Sequence, residues 1–169
     1  MAAIVEIDEE NGKSSSPALT HNISNSNMGS TDSSNLNPIG NPIAAGANSF
    51  EKWQLIHVID MSTSSMISNL RVWRSGTLGN NAIHLTNASV TSYRGEAKYQ
   101  TPTDDTSSIA IFSIPTTIPG SANLGIGGSL TKSLTANGQS DFLVHQIQTT
   151  KAALAGSTTI MNYQYDETA

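Results

Sequence analysis

Four histidines and a scatter of carboxylates are the residues of this chain best suited to chemistry. His21, His57, His84 and His145 are, by type, bases near neutral pH and metal ligands. None stands at the spacing of a two-histidine helix motif. His57, His84 and His145 fall in segments that read as strands, so they can converge only through tertiary structure. Separate, hydrogen-bonded or exposed strand histidines are the plainer expectation. Asp104, Asp105, Asp141, Asp166 and Glu167 offer oxygen ligands of the kind Ca2+ takes, yet no calcium-loop spacing is present, and solvated loop acids are expected. A carboxylate pair for glycoside hydrolysis is defined by separation in space, and the body has few acids to supply one.

Other motifs are weaker. Gly125-Ile126-Gly127-Gly128 has the glycines of a phosphate loop but neither the following Lys-Ser/Thr nor a strand-to-helix context. Positive-φ turns are the simpler use of those glycines. No Gly-x-Ser-x-Gly elbow occurs. The absence of cysteine removes disulfides, thiolate metal sites and a cysteine nucleophile. No catalytic constellation emerges and no cofactor is expected; the chain reads as a non-enzyme. Trp73 lies between Arg71 and Arg74, and Trp and Arg are interface-anchoring types. These three form a candidate surface contact, for a partner chain or a sugar, with core packing as the alternative for Trp73 and Trp53.

The elements that would carry these residues change character near residue 47. Residues 8–46 are mostly Ser, Asn, Gly, Pro and acids, without apolar periodicity. Ser16-Pro17, Asn37-Pro38 and Asn41-Pro42 favour extended or turning backbone. From residue 48 onward, short alternations recur between turn signals. Strands are expected over 53–59, 67–74, 82–86, 89–93, 96–100, 108–114, 129–134, 141–149 and 158–165. A hairpin loop is expected at 76–81 and a loop with one turn at 150–155. This count and spacing predict an all-β, antiparallel β-sandwich, jelly-roll-like, over 48–169. Only 12% of residues are charged, about half the usual share, with Ser, Thr and Asn in their place.

Residues 1–47 read as an extended low-complexity arm. Residues 3–7 can form a strand only by pairing with another sheet or chain. Ile4, Val5 and Ile7 are its apolar anchor, and Pro38 and Pro42 are further partner-binding candidates. The arm holds Glu6, Asp8, Glu9, Glu10 and Asp32 against Lys13, and so most of the net charge of −5. It can dock on a basic neighbour or stay solvated. No basic face points to nucleic acid. No signal peptide or membrane-length run is visible, so synthesis in the cytoplasm without membrane association is expected.

Several segments resemble a pattern in small virion proteins of tailed bacteriophages. They are Ser49-Phe50-Glu51-Lys52-Trp53, the run from Ile67 to Trp73, Tyr99-Gln100-Thr101-Pro102-Thr103 and Asn123-Leu124-Gly125-Ile126-Gly127. The ending adds Ser140 to Gln148, Gly156, and Tyr163-Gln164-Tyr165-Asp166-Glu167. His145 stands where that pattern would place an apolar residue. The resemblance covers roughly residues 48–167. It implies a structural β-domain located in the virion, such as a capsid decoration or cement protein. Its partners would be the major capsid protein or tail and neck subunits. A neck, tail or baseplate protein and a glycan-binding adhesin module are the alternatives. Symmetric homo-oligomerisation is expected, with a trimer as one form. The adhesin reading requires exposed Trp73, Tyr93 and Tyr99, and a body lacking residues 1–45 is expected to fold alone.

Overall fold

A computed structural model describes residues 1–94, 108–154 and 156–169. The chain is an all-β, antiparallel sandwich. Its strands are β1 (Ile4–Asn11), β2 (Ala18–Thr20), β3 (Lys52–Asp60), β4 (Met66–Ser75), β5 (Ala82–Val90), β6 (Phe112–Ser113), β7 (Gly138–Gln139), β8 (Phe142–Thr149) and β9 (Ile160–Thr168). The larger sheet runs β2-β1-β3-β8-β5-β6, with β7 also paired to β3, and β4 and β9 form the second sheet. Among the described residues the strands divide seven to two.

Alternation explains which faces are buried. On β3, Trp53 and Leu55 point one way and Ile56 and Val58 the other, and all four are buried. Ile56, Val58 and Leu143 face Ile67, Leu70 and Val72 of β4, with Leu124 and Ile126 completing the inter-sheet core. On the outer face, Trp53, Leu55, Phe142 and Val144 form a second cluster. Trp53 meets Tyr93 and Phe142 edge-on, at ring-centroid distances of 5.1 and 5.6 Å. Tyr93 also donates to the Gly12 carbonyl at 2.5 Å. Tyr93 is therefore held against the outer-face cluster.

The inward residues of β4 change phase between Ile67 and Leu70. Its pairing with β9 shifts register between Ser68 and Arg71, and Asn69 takes a left-handed φ of 52°. This is a β-bulge, which realigns Leu70, Val72 and Arg74 with the core. The segment expected at 82–86 runs on in β5 to Val90, with a register shift between Asn87 and Val90, while 91–93 of the strand expected at 89–93 is not strand. The 108–114 strand shrinks to β6. The 129–134 segment contributes only isolated bridges, Ile67 to Leu134 and Ile126 to Ser129. Residues 76–81 are not a hairpin loop, because β4 and β5 lie in different sheets. A turn forms at 151–152, and the strand expected at 96–100 lies outside the described residues.

The divide expected at residue 47 is not structural. β1 pairs antiparallel with β3 from Ile4–Asp60 to Glu10–Trp53. Val5 and Ile7 pack on the inter-sheet core, while Ile4 is half-exposed. Further along, Leu36 is 4% exposed. The Gly29 Cα lies where an added Cβ would stand 2.1 Å from Leu36 and 2.6 Å from the Asn41 carbonyl. The strand that needed a partner finds it in its own chain.

Candidate metal centre and buried polar layer

Two polar assemblies sit on opposite faces of the β1–β3 pair. Along β1, Glu6 and Asp8 share the outer face, and Glu6 lies directly across from His57 on β3. The backbone turns after β2 at Asn22, with a φ of 47°, and brings His21 over the same spot. His21 Nδ1 and His57 Nδ1 each lie 2.8 Å from Asp8 Oδ2. They lie 3.3 and 3.4 Å from Glu6 Oε1. The four atoms fall within 4.8 Å of one another. The Asp8 side chain is fully buried, that of His57 is 22% exposed and that of His21 is 56% exposed. The Asn22 backbone N–H donates to Asp8 Oδ1 at 3.0 Å and fixes the carboxylate plane.

The inner face of β1 changes from apolar Val5 and Ile7 to polar Glu9 and Asn11. Glu9 Oε1 accepts from Lys52 Nζ at 2.7 Å, and Glu9 Oε2 accepts from Gln54 Nε2 at 2.7 Å. Lys52 also donates to the Ser33 carbonyl. Asn11 Nδ2 donates to Glu9 at 3.0 Å and to Asp32 at 2.8 Å. Gln54 Oε1 accepts from Tyr163 Oη at 2.7 Å and from Ser26 Oγ at 3.1 Å. Burial pushes the Tyr163 phenol well above its ordinary range.

The layer continues into β8 and β5. His145 Nε2 lies 3.1 Å from Gln54 Oε1, and His145 Nδ1 lies 2.9 Å from His84 Nε2. Gln54 Oε1 is an acceptor, so His145 carries its proton on Nε2. Its Nδ1 must then accept from His84 Nε2–H, which leaves His84 Nδ1 as a lone pair. Burial pushes His145 well below the usual imidazole range. It pushes His84 down to about 4, with the Arg74 guanidinium adding to the effect. Both rings are neutral at pH 7, as this hydrogen-bond order requires.

A cavity of about 770 Å3 lies beside this layer, lined by both sheets and by residues 23–45, with Ile23, Pro38, Pro42, Met161 and Tyr163 among its walls. Pro38 and Pro42 are exposed residues at the wall of this cleft.

The other residues singled out from sequence separate. Arg71 donates to Asp166 at 2.5 Å with a side chain 14% exposed. Trp73 is half-buried opposite Asn162. Arg74 is 8% exposed and donates to the Gly76 carbonyl at 2.7 Å, so the surface contact expected of Arg71, Trp73 and Arg74 does not include Arg74. The bulge lets it turn inward. Gly128 donates its amide to the Asp141 carboxylate at 2.9 Å, so the glycine loop binds an internal carboxylate. Asp104, Asp105 and Tyr99 lie outside the described residues.

The sequence places His57, His84 and His145 on strands, where only tertiary structure brings them together. Two of those, His84 and His145, do meet, while His57 pairs with His21. The outer cluster was not anticipated, because the expected strand stopped at residue 7 and left Asp8 outside it. Glu6-x-Asp8, read as one face of a longer strand, was the available signal. No known protein family, curated protein or solved structure matches the chain.

Proposed function

We propose that this protein is a non-enzymatic structural component of a phage virion, a capsid decoration or cement subunit that binds its neighbours through the β5–β6 edge of its sandwich. The observation that carries this reading is the exposed apolar edge strand. Ile111 and Phe112 at β6 are 64% and 60% exposed, and Ile83 on adjacent β5 is 54% exposed. Among the described residues β6 ends the sheet, and a short apolar strand at a sheet edge is a place where another chain adds main-chain and side-chain contacts. The sequence resemblance supplies the virion setting, and the lack of a nucleophile–base pair in the sequence agrees with a structural role.

The expected contact through Ile4, Val5 and Ile7 gives way to this edge, since Val5 and Ile7 are used within the chain. A position in the neck, tail or baseplate would use the same edge. The test is light scattering with size-exclusion chromatography on the full chain and on Phe112→Asp, followed by co-sedimentation with particles of the same phage. An oligomer or particle-bound form that Phe112→Asp releases is the expected result. A full chain that stays monomeric and does not sediment with particles overturns the reading.

A further inference from the structure

We propose that Glu6, Asp8, His21 and His57 bind a divalent transition cation, with Zn2+ the best match, and that the ion clasps the first 22 residues to the sheet. This site is independent of the assembly reading. Its donor set is two imidazole nitrogens and two carboxylate oxygens. Imidazole suits Zn2+ and other transition ions, whereas Ca2+ and Mg2+ take oxygen shells. Bonds of about 2.0–2.2 Å to a tetrahedral ion place its ligand atoms about 3.3–3.6 Å apart. The distances from Glu6 to the two histidines, 3.3 and 3.4 Å, already fit. Those from Asp8, both 2.8 Å, need to open by about half an ångström.

Charge points the same way. Two carboxylates meet here, that of Asp8 fully buried, and among the described residues neither has a Lys or Arg within ion-pair distance. A buried carboxylate is costly unless a cation or several donors compensate it. Two imidazole Nδ1 atoms aimed at one carboxylate oxygen must both carry protons to make hydrogen bonds. A cation takes the place of both protons, which then reside on the Nε2 atoms. The second requirement of a metal site, an outer group that orients a ligand, is met by the Asn22 backbone N–H on Asp8 Oδ1. Half-exposed His21 provides access from solvent. The three segments so joined are β1, β3 and the chain leaving β2, so the ion would hold the N-terminal strands in register.

The test is calorimetric titration of untagged, chelator-stripped full-length protein with Zn2+, with Ca2+ and Mg2+ titrated in parallel, and visible spectroscopy with Co2+. Expected are one Zn2+ per chain and the d–d bands of a four-coordinate Co2+ site. His21→Ala, at an exposed position outside any strand, is expected to weaken Zn2+ binding by at least about 10- to 100-fold with the circular dichroism spectrum unchanged. His57→Gln should do the same, and Asp166→Asn, a distant surface acid, should leave binding intact. No saturable one-to-one binding overturns the proposal. So does Zn2+ affinity unchanged by His21→Ala, or Ca2+ or Mg2+ binding as tight as Zn2+.

Discussion

Glu9 on β1 and Lys52 on β3 form an ion pair 2.7 Å long, with side chains 0% and 3% exposed. Each charge is compensated almost entirely by the other and by neutral hydrogen-bond partners. Breaking a buried pair from one side strands a charge and costs about 3–5 kcal/mol, whereas replacing both sides with apolar groups is often neutral. Glu9→Ala is therefore expected to lower unfolding free energy by about that amount, and Glu9→Leu with Lys52→Met by much less. Urea unfolding of both variants is the measurement. A single substitution costing under about 1 kcal/mol would show that water reaches Lys52.

The neutral His84–His145 pair makes the fold acid-sensitive. The folded-state pKa of His84 is depressed to about 4 from an unfolded value near 6.5. Between those values the unfolded chain binds more protons, so stability is complete above about pH 6.5 and falls as the pH drops towards 4. The loss from His84 is about 3 kcal/mol across that window, and His145 acts in the same direction. Glu51, whose carboxyl is pushed up by burial, acts oppositely and blunts the fall. Urea midpoints at pH 7.5, 6 and 5 should decline in that order. A midpoint that does not move would contradict the neutral assignment.

The β4 bulge depends on one left-handed residue. Asn69 tolerates a φ of 52° and donates to Asp166 at 2.7 Å. Asn69→Gly keeps the backbone at little cost, while Asn69→Val places a β-branched residue where it loses about 1–2 kcal/mol. Thermal denaturation should rank wild type and Gly close together and Val below them. Equal melting of the Gly and Val variants would place the strain elsewhere.

Leu36 anchors the 21–51 segment. Leu36→Ala is expected to cost about 2–5 kcal/mol, as for a core leucine, and Gly29→Ala should cost a comparable amount by driving a methyl into Leu36 and the Asn41 carbonyl. Removing residues 1–45 takes away β1 and uncovers Ile56, Val58 and Lys52, so the remainder should be unfolded by circular dichroism. A folded, cooperative 46–169 fragment would restore the independent arm expected from sequence.

The sequence by itself determined the fold class. Period-two alternation on β3 and β8 is local, so strands were legible there before any partner was known, and on β3 both faces, Trp53 and Leu55 against Ile56 and Val58, are buried. The bulge that carries the core phase from Ile67 to Leu70 came only with the paired strand β9. Residues 8–46 have no such periodicity, because their order comes from polar bonds such as Asp32 to Gly12 and Asn35 to Ser24, which leave no apolar rhythm. Only tertiary structure decided that β1 pairs with β3 in the same chain. That pairing brings Glu6 opposite His57 and Glu9 beside Lys52 across more than forty residues. The β3–β8 pairing likewise brings Gln54 to the buried His145. Strand register is set by which faces bury together, a property of the assembled sheets that no single segment encodes.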